Sequence, residues 1–193
     1  MNIVYGGSFN PPTIAHEGII SELKRTFKPE NIIIIPAGNS YNRKELLDFK
    51  DRYNMLKLIS NDIISDIENK NLEYKGTLYT LDLLSKDYKD IYFVMGADNL
   101  IDIKSWIRYE ELLEKYNFII ITRDDINIVD FIDNNLRKYK SHFKLISLKY
   151  MVSSTKIRNN IDENKDMLNP KVYEYIKKNH LYEEWLNWLI TVF

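Results

Sequence analysis

The chain has 193 residues, 45% of them apolar, which is enough for one domain with a sizeable core. Its 27 basic and 28 acidic side chains leave a net charge of −1, so no general attraction to nucleic acid or anionic membrane is expected and any anion site must be local. Disulfides, thiolate metal sites and cysteine nucleophiles are excluded by the lack of cysteine; no basic-then-apolar leader and no run near the roughly 20 apolar residues of a membrane span is present, which fits a soluble, cytoplasmic protein.

Residues 3–5 predict a first strand, which runs into Gly6-Gly7-Ser8-Phe9-Asn10-Pro11-Pro12-Thr13-Ile14-Ala15-His16. The paired glycines permit a tight turn and leave no side chain between backbone and ligand, while a helix from about residue 13 would aim free N–H groups at an anion. His16, one turn in, adds a donor. Ile19, Leu23 and Phe27 recur at i, i+4, i+8 and predict an apolar helical stripe ending before Pro29. Ile32, Ile33, Ile34 and Ile35 form a continuous β-branched run, suited to a parallel strand covered on both faces. A polar loop with Arg43 and Lys44 follows, then a helix carrying Leu46, Phe49, Tyr53, Leu56 and Ile59.

A short strand or turn near residues 72–74 precedes a helix expected to begin near Tyr79. Residues 91–95 predict a buried strand that ends in Gly96-Ala97-Asp98-Asn99 and gives way to a helical stretch as far as Trp106. Residues 118–122 form the next strand, ending at Arg123, and residues 126–139 have amphipathic helical spacing. The strand at 143–148 leads to Val152-Ser153-Ser154-Thr155-Lys156-Ile157-Arg158, where Ser153 or Ser154 caps a helix bearing Lys156 and Arg158. Asn169-Pro170 is an N-cap and N1 pair for a helix through Ile176, and residues 183–193 read as a short apolar helix holding Trp185 and Trp188.

About five apolar strands alternating with helices predict an α/β, doubly wound parallel sheet of Rossmann-like type, a single domain over 1–193 whose small helical extension occupies 151–193. Each unusual polar cluster follows a strand. In open α/β sheets ligands bind outside the carboxyl ends of the strands, so these clusters should converge on one rim.

These residues resemble the nicotinate or nicotinamide mononucleotide adenylyltransferases, within the wider nucleotidyltransferases that carry a (T/H)-x-G-H signature. The family pattern G-G-(S/T)-F-(D/N)-P-x-(H/T)-x-x-H is met by Gly6 to His16, and S-Y-T-x-D-T-L is similar to Leu78-Tyr79-Thr80-Leu81-Asp82-Leu83-Leu84. G-A-D-x-L with a following tryptophan is met by Gly96 to Leu100 and Trp106, I-S-S-T-x-I-R by Val152 to Arg158, and the terminal V-x-x-Y-I…L-Y by Val172 to Ile176 with Leu181-Tyr182. The chain departs from the pattern at Thr13, at Ala15 for glycine, at Asn10 for aspartate, and in the second loop, where Asn42-Arg43-Lys44 keeps only the lysine.

The resemblance implies transfer of AMP from ATP to nicotinate mononucleotide, giving nicotinate adenine dinucleotide and pyrophosphate in NAD biosynthesis, with magnesium bridging ATP oxygens and no protein metal cage. Nicotinamide mononucleotide or dual specificity, and a non-catalytic nucleotide sensor, are the alternatives left open, as is a homo-oligomer. His16, Lys44 and Arg158 are the implied catalytic residues. Gly6, Gly7, Ser8, Phe9, Thr13, Gly96, Asp98, Ser153, Ser154 and Thr155 would join His16 and Arg158 around ATP, the Thr13 hydroxyl meeting a phosphate oxygen. Ser8, Phe9, Lys44, Tyr79, Thr80, Ala97, Asn99, Trp106 and Arg123 would hold the mononucleotide, Trp106 stacking on its pyridine ring.

Overall fold

A computed structural model describes residues 1–41, 46–71, 73–122, 127–148, 152 and 154–183. Its strands are β1 (Asn2–Gly7), β2 (Asn31–Pro36), β3 (Ile63–Ile64), β4 (Ile91–Gly96), β5 (Asn117–Thr122) and β6 (Phe143–Ser147). The helices are α1 (Ile14–Phe27), α2 (Phe49–Ile59), α3 (Thr77–Leu84), α4 (Ala97–Ile101), α5 (Tyr109–Lys115), α6 (Ile128–Asn135), α7 (Ser154–Asn159) and α8 (Pro170–Lys178).

The isoleucine run of β2 explains the layering. β-branched side chains pack well on a pleated surface, and alternate residues point to opposite faces. Ile32 and Ile34 join Ile3 and Tyr5 of β1 in one buried cluster with Leu23 of α1 and Leu56 of α2. Ile33 and Ile35 join Val4 and Phe93 in a second, with Leu78 and Leu81 of α3 and Leu112 of α5. Both faces of the sheet are thus covered, as all-parallel sheets require.

Every strand pair is parallel and the order is β3-β2-β1-β4-β5-β6. The chain therefore winds outward from β1 on one side and returns to β4 on the other, which leaves a crevice where the direction reverses. The strand ends at that crevice are Gly7 and Gly96.

A third cluster lies off the sheet. Met55 of α2, 0% exposed, packs with Ile157 of α7, with Val172 and Ile176 of α8, and with Tyr182. The C-terminal helices thereby cover the side of α2 that the sheet leaves open. Asn169 caps α8 as expected, its side chain accepting from the Lys171 N–H at 3.0 Å, with Pro170 in the first turn.

Several boundaries differ from the sequence expectation. The sheet has a sixth strand, β3, whose two residues are too few to show periodicity. Of the strand or turn read near residues 72–74, the described residues 73 and 74 form no strand. Residues 46–48 stay outside α2 because the Leu47 N–H is drawn to the Asn10 side chain at 3.3 Å and Asp48 caps the helix by accepting from the Lys50 N–H at 2.8 Å. α3 begins at Thr77 rather than near Tyr79, directly after Gly76 at φ 85, a left-handed turn natural to glycine. α6 stops at Asn135, short of Tyr139. The helix read at 183–193 lies almost wholly outside the described residues. No described helix is long and apolar enough to cross a membrane.

Because Met55 joins α2 to both C-terminal helices, Met55→Ala should lower stability by about 2–5 kcal/mol, the range for emptying a packed methionine site. Urea unfolding would show it as a lower midpoint; an unchanged midpoint would mean that the C-terminal helices are not anchored there.

Candidate active site

Two adjoining cavities, each of about 270 Å³, open at the carboxyl ends of β1 and β4 and share a wall of Gly6, Gly7, Phe93, Asn99 and Trp106. The first is further lined by Tyr5, His16, Met95, Gly96, Ala97 and Asp98. Ser8, Tyr41, Glu68, Tyr74, Thr80 and Asp102 are among the further residues of the second. The shared wall depends on small residues: a Cβ on Gly6 would come within 3.2 Å of the Phe93 ring, and one on Gly7 within 3.1 Å of Phe9. Either would displace a packed aromatic ring.

His16 stands at the third position of α1, and its imidazole turns back over the helix start. Its Nδ1 accepts from the Thr13 backbone N–H at 2.9 Å and lies 2.8 Å from the Thr13 hydroxyl. With Nδ1 the acceptor, the proton of the neutral ring resides on Nε2. The ring sits 5.0 Å from Phe9 and 6.4 Å from Tyr5, centroid to centroid, and burial pushes its pKa down to about 4. His16 is therefore a neutral donor at the cavity wall at pH 7.

The loop before α1 is held from outside. Arg52, 0% exposed, donates from Nη1 to the Ser8 carbonyl at 3.0 Å and from Nε to the Leu47 carbonyl at 2.8 Å. Arg158 donates to the Asn10 carbonyl at 2.8 Å and to the Thr155 hydroxyl at 3.1 Å, while the Ser154 hydroxyl reaches the Pro11 carbonyl at 3.3 Å. Asn10 itself is 2% exposed and its Oδ1 accepts from the Tyr182 hydroxyl at 2.8 Å. Burial raises the Tyr182 pKa, so that phenol stays protonated as a donor.

The two cavities thus gather Gly6, Gly7, Ser8, His16, Thr80, Gly96, Ala97, Asp98, Asn99 and Trp106 from the sequence-derived set. Other residues of that set lie elsewhere. The Phe9 ring is 1% exposed and packs edge-on to Tyr5 at 5.4 Å, beneath the loop rather than in a cavity. Thr13 is 1% exposed, and its hydroxyl is turned to His16 instead of to open space. Tyr79 points away from the second cavity, under the ammonium of Lys75 at 4.9 Å, because only Thr77 and Thr80 share the inward face of α3. Ala97 borders the first cavity, not the second. Ser154, Thr155 and Arg158 are absent from the described linings and brace the loop from behind. Lys44, Ser153 and Arg123 lie outside the described residues.

Sequence reading missed Tyr41, Glu68, Tyr74 and Asp102 in the second cavity, and Arg52 behind the loop. None belongs to a spaced motif. The one available signal was an arginine on the apolar face of the α2 pattern, three residues after Phe49 and four before Leu56.

Residues 4–160 match the family model described as cytidylyltransferase-like. Among curated relatives, the chain is 43% identical to the probable nicotinate-nucleotide adenylyltransferase of Acholeplasma laidlawii, over 95% of this chain and 98% of that one. It is 34% identical to the protein of the same name from Caldicellulosiruptor saccharolyticus, over 94% and 98%. Among solved structures it is similar to the nicotinic acid mononucleotide adenylyltransferase of Plasmodium falciparum complexed with NaAD, with a TM-score of 0.77 and 30% identity over 94% of this chain and 97% of that one.

The His16 environment has a measurable consequence. Its folded pKa is about 4 against an ordinary 6.5, so the unfolded chain binds this proton more readily, and the stability associated with the neutral ring is complete above pH 6.5 and lost as pH falls towards 4. Long-range ¹H–¹⁵N NMR should show an Nε2–H tautomer that does not titrate between pH 5 and 8, the window in which an unperturbed imidazole would. Titration inside that window would refute the buried, Thr13-bonded imidazole.

Proposed function

Because the chain belongs to the cytidylyltransferase-like family, we propose that it is a nicotinate-nucleotide adenylyltransferase whose first cavity takes ATP and whose second takes the acceptor mononucleotide. The observation that carries this reading is the pair of cavities sharing the Gly6-Gly7 wall, since a joint wall at a strand end brings two phosphate groups together.

In the reaction, a phosphate oxygen of nicotinate mononucleotide attacks the α-phosphorus of ATP, the bond from that phosphorus to the bridging oxygen breaks, and pyrophosphate departs. The attacking phosphate is already largely ionised at pH 7, so no general base is needed. Catalysis then consists of alignment and charge stabilisation. Gly6 and Gly7 admit the phosphates to the backbone. His16 donates its Nε2–H to a phosphate oxygen of ATP, with Thr13 fixing the ring from behind. Asp98, exposed in the first cavity, accepts from the ribose hydroxyls of ATP, and Trp106 stacks on the pyridine ring. Arg158 adds positive charge behind the loop, and Lys44 is the further cation that the family resemblance implies for the phosphates.

Nucleotidyltransferases of this family generally use a divalent metal. We propose magnesium as that metal, arriving with ATP. When bound, it neutralises triphosphate charge.

Pyrophosphate release from ATP should require nicotinate mononucleotide, with kcat/KM at least about tenfold above that for nicotinamide mononucleotide. Parity would make the enzyme dual in specificity, and no release with either acceptor would leave a nucleotide sensor. His16→Ala should lower kcat by about 10² or more with KM for ATP little changed, the loss expected when a transition-state donor is removed. An unchanged kcat would remove His16 from the chemistry.

A further inference from the structure

We infer that Glu68 is a specificity-determining residue through which the second cavity reads the positive charge of the acceptor's pyridinium ring. The inference rests on the reading of that cavity as the mononucleotide site.

The described lining of the second cavity contains two carboxylates, Glu68 and Asp102, and no lysine, arginine or histidine. Aromatic faces come from Tyr41, Tyr74 and Trp106, with Tyr41 and Tyr74 edge to face at 4.9 Å. Such a lining is poorly suited to an anion and well suited to a planar cation, which gains from both ring quadrupoles and carboxylates. A pyridine mononucleotide carries a phosphate at one end and a ring nitrogen made cationic by its glycosidic bond at the other; the carboxylate of the nicotinate ring must then turn away from Glu68 and Asp102. The lining sorts the two ends. The ring belongs among the aromatic side chains and carboxylates, and the phosphate belongs at the Gly6-Gly7 wall beside the first cavity.

The two carboxylates are not equivalent. Asp102 is exposed, and its Oδ2 already accepts from the Ser105 hydroxyl at 2.8 Å. Glu68 is half-buried in the irregular segment before α3. Its Oε1 accepts from the Thr80 hydroxyl at 3.2 Å, and the Gly38 backbone N–H also donates to its carboxylate. Its fit against the loop after β2 is close enough that a Cβ on Gly38 would lie 2.4 Å from the Glu68 carbonyl oxygen. Thr80, Gly38 and, through space, Arg52 favour the ionised form, yet burial outweighs them and raises the pKa. A desolvated carboxylate held mainly by neutral donors is stabilised when a cation arrives beside it. The pyridinium is the one part of the acceptor that supplies this.

The test compares nicotinate mononucleotide with its 1,4-dihydro form, which keeps the ribose phosphate and carboxylate and loses the ring's positive charge. Wild-type kcat/KM should favour the cationic ring by about tenfold or more, the scale of a desolvated cation contact. Glu68→Gln should bring the ratio towards one, chiefly through KM for the cationic acceptor, with KM for ATP unchanged; Glu68→Asp should retain the preference. An unaltered ratio in folded Glu68→Gln overturns the inference. Should that variant fail to fold, the wild-type ratio decides, and parity there overturns it as well. A wild-type protein that adenylates neither pyridine acceptor overturns the acceptor-site reading itself, and this inference with it.

Discussion

The loop between β1 and α1 holds its shape through the side chain and carbonyl of one buried residue, Asn10. Its Oδ1 accepts from the Leu47 N–H and from the Tyr182 hydroxyl, and its carbonyl accepts from Arg158. These partners lie 37, 172 and 148 residues away. A segment without helix or strand hydrogen bonds must satisfy its buried polar groups elsewhere, and here it does so with three distant parts of the chain. The first loop, the approach to α2 and the C-terminal helices are thereby fixed relative to one another. The sequence comparison with the family's aspartate places a missing charge near the phosphates. The structure gives Asn10 another role, as a neutral acceptor buried behind the loop, where a carboxylate would be desolvated.

Arg52 completes this bracing from the opposite side. A fully buried guanidinium requires several acceptors, and the Ser8 and Leu47 carbonyls together with Asn39 Oδ1 supply them. With Ser8 held from α2 and Asn10 from α7, Phe9 between them turns inward at φ 48, its ring beneath Gly7. Gly7 therefore has two functions at once: one face accommodates the Phe9 ring, and the other borders both cavities. The Phe9 ring lies away from both cavities because adjacency along a loop does not fix which side of it a residue takes.

What could be read in the sequence follows from how locally each feature is encoded. The layered parallel sheet was legible because four isoleucines in succession suit a strand buried on both faces. That Gly6, Gly7, His16, Gly96, Asp98 and Trp106 would come together at two cavities was legible because strand ends in this topology share a rim. Thr80 came only with the family motif, and its neighbour Tyr79 lies outside the second cavity, since residues one apart on a helix face different ways. Glu68, Tyr74 and Asp102 reach the second cavity from segments whose course depends on tertiary packing, with no periodicity to reveal it. Arg52 was hidden by its type: in a helix pattern a charged residue reads as solvent-facing, and only the distant carbonyls at its tip make its burial tolerable.

His16 shows how the protein reconciles a buried imidazole with anionic chemistry. Tyr5 and Phe9 cover part of the half-buried ring, and desolvation keeps the imidazole neutral at pH 7. Neutrality also suits the Thr13 N–H, which needs Nδ1 as an acceptor and would face a second N–H if the ring were doubly protonated. Nucleotide binding alters one side of this balance. On the proposed assignment, a triphosphate in the first cavity would bring negative charge to the Nε2 face, and a nearby anion favours the protonated ring while burial continues to oppose it. The resting protein thus avoids an isolated cation in an aromatic pocket. With ATP bound as proposed, the Nε2–H would face the phosphate charge and the anion would itself strengthen the donor.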